Sequence, residues 1–466
     1  MKANPLIFRE YDIRGVVGKD LTEELVLELG RVFVHHALGK LGVADRPLRL
    51  ALGRDGRVSS PSLAAAMAEG LRRAGAEVVD VGLVPTPGLY YAIHHFAADG
   101  GLMLTGSHNP PDYNGIKMTL DGHPVYGAEI TRLRDLLAEG VQQDRSGGSV
   151  RREEVLESYL QRLTRDFRPG RALKVILDCG NGATGVVAPA LLKRLPGVEG
   201  EVLFAEVDGT FPNHHPDPTV AENLHDLKAR MKETGAELGI AFDGDGDRIG
   251  AVDAEGRIIW GDRMLVLFAR DLLTRQPGAT VLGDVKCSQV LFDAVAAAGG
   301  KPLMWKTGHS LIKAKMKETK APLGGEMSGH LFFADRYLGY DDALYAAVRL
   351  MELAVAAPEP LPQRLNDLPP VCSTPEMRLF CEDERKFGVM ERVLQRQKAS
   401  GQEFSDVDGV RVKLPGGWWL LRVSNTQPAL VARAEAVSRE RLDEIVALVS
   451  AQLAEEGVAF PAWEPA

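Results

Sequence analysis

The sequence predicts an α/β protein of three related α/β domains followed by a smaller α+β domain. Three observations carry this. An apolar strand, a Gly/Asp-rich turn and an amphipathic helix recur three times, starting near Leu48, Lys174 and Thr280. The recurrence stops after Pro369-Pro370. A chain of 466 residues also exceeds what one hydrophobic core fills.

In the first copy, Leu48-Arg49-Leu50-Ala51-Leu52 reads as the strand and Gly53-Arg54-Asp55-Gly56 as the turn. Ser60 is the expected N-cap, with Pro61 at the first helical position. An extended run, Glu77-Val78-Val79-Asp80-Val81, follows. The second copy has a strand over 174–177, a turn over 178–182 and a helix near 186–195. The third has a strand over 280–282, Gly283-Asp284, and a helix near 288–298. Strands alternating with helices imply parallel pairing. The last hundred residues differ: extended segments, a turn at Gly416-Gly417-Trp418-Trp419, and a helix with Leu442, Ile445, Val446, Val449 and Leu453 on one face, stopped by Gly457. A polar stretch over 142–148 marks the first boundary. The expected domains are 1–148, 149–254, 255–368 and 369–466.

The formal net charge of −9 leaves no footprint for nucleic acid. An anionic substrate therefore needs a local basic pocket. Cys179, Cys287, Cys372 and Cys381 form no CxxC pair, which argues against a zinc or disulfide framework and for reduced thiols in a cytoplasmic protein. Residues 1–14 hold no signal peptide, and no apolar run reaches membrane-spanning length.

Asp243-Gly244-Asp245-Gly246-Asp247-Arg248 carries the most chemistry. Crowded carboxylates repel, so burying Asp243, Asp245 and Asp247 together calls for a cation. A hard ion with oxygen ligands, Mg²⁺, suits them, and Arg248 adds a fork that fits phosphate. The competing reading is a solvated Asp-Gly turn. An EF-hand does not fit, because its sixth position holds Arg248 and its twelfth Ala254. Residues 238–242 read as a buried strand that delivers these aspartates at its carboxyl end.

Thr105-Gly106-Ser107-His108-Asn109-Pro110 follows the apolar Gly101-Leu102-Met103-Leu104. The Gly and Pro residues present Ser107 on a loop beside His108, although a serine in a turn is most often only a turn residue. A GxSxG elbow does not fit Leu104-Thr105-Gly106-Ser107, since Thr105 stands where that motif needs its first Gly. Gly180-Asn181-Gly182-Ala183-Thr184-Gly185 is formally GxGxxG, with Glu206 further on, and by itself supports an NAD-dependent oxidoreductase. His214-His215-Pro216-Asp217 reads as a structural loop rather than a metal cluster.

With these motifs in order, the chain resembles the α-D-phosphohexomutase family, and within it the bacterial phosphomannomutase/phosphoglucomutase group. Phe8-Arg9-Glu10-Tyr11-Asp12-Ile13-Arg14-Gly15 is similar to that family's N-terminal segment. The loop at 105–110 resembles its phosphoserine loop, and 243–248 its metal loop. Gly325-Glu326-Met327-Ser328-Gly329-His330 resembles the sugar loop, and Arg422-Val423-Ser424-Asn425-Thr426-Gln427-Pro428 the phosphate loop. The resemblance implies mixed sheets around a central cleft and reversible phosphoryl transfer between the 6- and 1-positions of mannose or glucose phosphates. It implies one Mg²⁺, held by Ser107 and the three aspartates, and a hexose 1,6-bisphosphate as activator. Tyr11, Arg14, Glu326, Ser328 and His330 are then expected to bind the substrate. The phosphate loop's Arg422, Ser424, Asn425 and Thr426 are expected to hold its distal phosphate. Arg433 either adds charge there or is exposed. Lys117, Lys286, His309 and His330 are the candidates for proton transfer, a lysine by a lowered pKa; the competing reading is that they only bind phosphate or hydroxyls, and it is favoured for His330. The fourth domain is expected to move as the site opens and closes. A monomer or homodimer without nucleic-acid or membrane partners is expected. Phosphoglucosamine mutase is the near alternative, although Met327 stands where that group usually has Gln. A catalytically dead phosphosugar-binding protein is the alternative outside enzymes.

Overall fold

The computed structural model describes residues 3–43, 46–140, 143–424 and 428–463. Its four sheets fall in chain order. The first three repeat one plan. In the first sheet, Arg49–Arg54 lies between Glu77–Leu83 and Gly100–Leu104 in parallel, and Tyr113–Leu120 returns antiparallel beside Gly100–Leu104. In the second, Leu173–Asp178 lies between Val198–Leu203 and Leu238–Phe242, with Ile249–Asp253 returning. In the third, Thr280–Asp284 lies between Lys301–Trp305 and Leu323–Gly325, with Leu331–Phe333 returning. The returning strand makes each sheet mixed rather than purely parallel. It also places a loop at the carboxyl end of the third parallel strand, where α/β sheets bind ligands. Those three loops are 105–112, 243–248 and 326–330.

Several local expectations shift. The first helix starts at Ser60, so Ser60 is not the cap. Its hydroxyl instead donates to Asp55 Oδ1 at 2.5 Å, pinning the 53–57 turn. The second helix is a 3₁₀ turn, Ala183–Val186, and then only Ala188–Leu192. Ser288 does cap Gln289–Ala297. Only Gly416 turns the chain at φ +76°; Trp418 and Trp419 lie within the strand Gly417–Val423. Strand Ser149–Arg152 pairs with the first sheet and Ile258–Ile259 with the second, so both sheets run a few residues past the breaks at 148 and 254.

The three α/β domains share apolar packing. Helix Ala343–Ala356 is buried along nearly its whole length, the behaviour of a helix apolar all round. The fourth domain is an antiparallel six-stranded sheet backed by Asp383–Ser400 and Arg439–Ala454, with its own core around Trp419. It meets the third domain through the small cluster Val285, Trp418 and Leu420. No helix among the described residues is long and apolar enough to cross a membrane.

Candidate active site

The three hairpin loops meet. Ser107 Oγ donates to Asp243 Oδ2 at 2.9 Å, and His108 Nδ1 lies 3.2 Å from the same hydroxyl. Glycine makes this approach possible: a Cβ on Gly244 would stand 2.4 Å from the Ser107 carbonyl oxygen. Ser107 itself sits at φ +50°, a left-handed conformation unusual for serine and typical of functional turns.

Arg57 holds that conformation. Its guanidinium, fully buried, donates to the carbonyls of Ser107 (2.8 Å), Asn109 (2.6 Å), Pro110 (2.5 Å) and Tyr113 (3.0 Å). Asp55 lies 3.3 Å from Arg57 Nε and accepts the Gly106 N–H. Replacing Arg57 by methionine strands those carbonyls and the Asp55 charge. Urea unfolding is expected to register a loss of about 3–5 kcal/mol.

The aspartate loop closes on itself. Asp243 Oδ1 accepts from the N–H groups of Gly246, Asp247 and Arg248 at 2.9–3.1 Å. Thr86 and Thr105 hydroxyls donate to Asp245 Oδ2 at 2.5 and 3.1 Å. Lys117 Nζ reaches Asp245 at 2.7 Å and Asp247 at 2.5 Å. All three carboxylates are buried and offer oxygens within 4.8 Å of one another. Asp245 Oδ1 and Asp247 Oδ1 have no hydrogen-bond partner. Burial, and then the charges of Asp245 and Asp247, hold the Asp243 carboxyl well above the usual carboxylate range. Unpartnered oxygens and mutual repulsion in one buried pocket are the donor set of a hard divalent cation.

The expected lowering of a lysine pKa does not occur. Burial opposes the charge on Lys117, but Asp245 and Asp247 outweigh it and hold its pKa well up. For Lys286, burial is outweighed by Glu376, Asp284 and Glu326. Both are ammonium ions here. Burial, and then Lys313, hold His309 neutral; His108 is likewise neutral through burial and the nearby Arg248.

Above Ser107 lies a cleft of about 990 Å³ walled by all four domains. The first domain supplies Arg14, which donates to Asn109 Oδ1 at 3.0 Å, and Tyr11, which donates to the Thr307 carbonyl at 2.8 Å. Arg248 Nε donates to His330 Nε2 at 2.9 Å, and Glu326 accepts the Gly308 N–H. Ser328, His309 and Lys286 also face the cleft. From the fourth domain come Arg422, paired with Asp408 at 2.9 Å, and Ser424. Arg433 is buried rather than exposed, donating to the Lys286 carbonyl. Asn425 and Thr426 lie outside the described residues. Ser107 itself is 2 % exposed, beneath His108 and Arg248.

The formal GxGxxG segment supports the aspartates. Ala183 N–H donates to the Gly244 carbonyl at 2.9 Å, and a Cβ on Gly182 would stand 2.8 Å from that oxygen. His214 pairs with Asp178 at 3.1 Å and is structural. Motif reading missed Arg57, Thr86, Asp341 and Glu376. The Gly53-Arg54-Asp55-Gly56 turn was the only pointer toward Arg57.

Glu376 bridges the third and fourth domains through Lys286 at 2.8 Å. Lys286 pushes the Glu376 carboxyl down to about 2. A depressed folded pKa gives stability that is full above the ordinary glutamate range and fades as pH falls toward 2. Amide protection along 285–287 and 373–378, relative to the intrinsic exchange rate at each pH, is expected to fall between pH 5 and pH 2–3, about the range given by these two pKa values.

This chain, with three hairpin loops that meet at one arginine- and lysine-lined cleft over a serine and three carboxylates, matches one family along nearly its whole length. Models of phosphoglucomutase/phosphomannomutase alpha/beta/alpha domains I, II and III match residues 5–144, 157–256 and 260–372, and that of the C-terminal domain matches 376–452. The chain belongs to this family, the α-D-phosphohexomutases. The phosphomannomutase/phosphoglucomutase of Pseudomonas aeruginosa is 47% identical over 453 residues, spanning 96% of this chain and 95% of the relative. The phosphoglucomutase of Neisseria gonorrhoeae is 44% identical over 442 residues, spanning 94% and 95%. The crystal structure of a phosphoglucomutase/phosphomannomutase family protein from Burkholderia thailandensis aligns with TM-score 0.90 and 43% identity over 100% of both chains.

Proposed function

We propose that this protein is a phosphomannomutase/phosphoglucomutase, which moves a phosphoryl group reversibly between the 6- and 1-positions of mannose and glucose phosphates. The Ser107 hydroxyl, 2.9 Å from Asp243 and under a cation-lined cleft, carries this reading. Ser107 bears a phosphoryl group in the resting enzyme. Its P–O bond breaks as a substrate hydroxyl oxygen bonds to phosphorus, the hydroxyl's proton ending on the freed Ser107 oxygen, giving a bound hexose 1,6-bisphosphate. The bisphosphate turns over, and its other phosphoryl group returns to Ser107.

Asp243, Asp245 and Asp247, with the serine oxygen, would hold Mg²⁺, which when bound would neutralise phosphate charge and make phosphorus easier to attack. Lys117 and Arg248, both cationic, balance the charge that spreads over the transferring oxygens. Glu326 and Ser328 hold sugar hydroxyls, and Tyr11 and Arg14 close over the ring. Arg422, Ser424 and Arg433 grip whichever phosphate is not reacting. One grip for both orientations lets a single serine serve both ends of the sugar.

The bisphosphate must turn without escaping, so the fourth domain is the part that loosens. Its separate core and small apolar contact with the third domain favour that motion. A reduced cytoplasmic enzyme fits its four free thiols. Coupled assays with mannose 1-phosphate and glucose 1-phosphate, Mg²⁺ and a trace of glucose 1,6-bisphosphate test the function. Turnover of both epimers is expected, since one hydroxyl's orientation changes little binding energy. Turnover of neither refutes the reading.

A further inference from the structure

Asp341 stands in no recognised motif, yet it is fully buried behind the cleft. It follows the strand Leu331–Phe333 and bridges back to Phe332. Its Oδ1 accepts from Lys313 Nζ at 2.9 Å, and Lys313 continues to the Tyr90 hydroxyl at 3.3 Å. The ammonium therefore balances the carboxylate and fixes its direction. Asp341 Oδ2 faces His330 Nδ1 at 3.1 Å and His309 Nδ1 at 3.5 Å. The two imidazoles stack at 5.5 Å and 22°. Among the described residues, neither Nδ1 nor Asp341 Oδ2 meets full hydrogen-bond geometry with any partner, and Asp341 is the nearer of the two carboxylates that face His330 Nδ1, Asp247 Oδ1 lying at 3.7 Å.

The other side of His330 settles its tautomer. Arg248 Nε carries a hydrogen and lies 2.9 Å from His330 Nε2. An arginine nitrogen only donates, so Nε2 presents its lone pair. With Nε2 accepting, the ring's N–H lies on Nδ1, against Asp341. Two buried contacts on opposite nitrogens thus agree on one form.

We propose that Asp341 is a positioning residue: it keeps His330 as the Nδ1-protonated tautomer, so that Nε2 accepts a hydrogen bond on the cleft side. In this structure the donor is Arg248. When Arg248 turns to a phosphate, the donor is a substrate hydroxyl, a step that rests on the mutase reading. Lys313 acts one position further back by holding Asp341.

Asp341→Asn tests this. Lys313 has no lone pair, so the new amide turns its oxygen to Lys313 and its NH₂ to His330 Nδ1, forcing the proton onto Nε2. In ¹⁵N-histidine-labelled protein, with His330 assigned through its loss in His330→Gln, the wild type is expected to show a protonated Nδ1 and the variant a protonated Nε2. The kcat is expected to fall ~10–100-fold while KM stays within about threefold. In a His330→Gln background the same change is expected to cost under about twofold, because the pathway runs through His330. If the single variant does not fold, Asp341→Leu with Lys313→Met removes both charges together, and a mixed His330 tautomer with a kcat loss of about tenfold or more is expected. A wild-type His330 protonated on Nε2 overturns the proposal. So does a folded variant with wild-type kcat, or a loss that multiplies fully in the His330→Gln background. The ¹⁵N spectrum reads the tautomer without turnover, so its failure is distinct from failure of the mutase reading.

Discussion

Ser107→Ala is expected to abolish mutase turnover, a loss of about 10⁴-fold or more. In the proposed reaction the serine carries the phosphoryl group in both half-reactions, and Ser107 is the hydroxyl that, among the described residues, donates to Asp243. Thr105 is turned inward, donating to Asp245 and accepting from the Ser107 N–H. The substitution should leave the fold intact. The loop is held by the Arg57 guanidinium through backbone carbonyls, not by the serine side chain. Hexose phosphate binding should survive, because the cleft walls do not include Ser107. A coupled assay reads the first outcome, and isothermal titration with glucose 6-phosphate the second. A variant that turns over normally would remove the serine from the chemistry.

Asp243→Asn is expected to produce opposite effects on stability and activity. In the metal-free protein the Asp243 carboxyl is held well above its ordinary range by burial and by Asp245 and Asp247. An amide resembles the protonated acid, keeps the Oδ1 contacts with three backbone N–H groups, and removes one source of repulsion. The metal-free variant should therefore melt no lower than the wild type. The wild type should gain about 2.7 kcal/mol from Mg²⁺ at a hundred times its dissociation constant, whereas the variant should gain almost none. Turnover should fall by roughly 10²–10³-fold as charge stabilisation at the transferring phosphoryl group is lost. Scanning calorimetry with and without Mg²⁺ separates the two effects. An equal Mg²⁺ shift in both proteins would place the cation elsewhere.

The site was legible in the sequence wherever chemistry demands several unusual residues in a row. The stretch 243–248 joins three acids and two glycines because carboxylates converge only around a tight turn. The stretch 105–110 shows its turn for the same reason. Three strand–turn–helix copies were visible because buried parallel strands are almost wholly apolar. The returning antiparallel strands were harder to see, being the closing arms of the functional loops. Arg57 and Asp341 were silent for a different reason. Each is a single charged residue whose role depends on burial, and burial is set by chain distant in sequence: Arg57 by residues 107–113, Asp341 by Lys313 and His330. Arg433 read equally as exposed or functional until strand Ala429–Ala436 placed it against Lys286. The GxGxxG segment misled because glycine permits close approach to any backbone, and here that backbone is Gly244.

Incubation with glucose 1,6-bisphosphate and Mg²⁺, followed by intact-protein mass and peptide mapping, tests the central claim most directly. One phosphoryl group on Ser107, discharged by adding mannose 6-phosphate or glucose 6-phosphate, is the predicted result. A phosphoryl group on another residue, or one that no hexose phosphate removes, would contradict it.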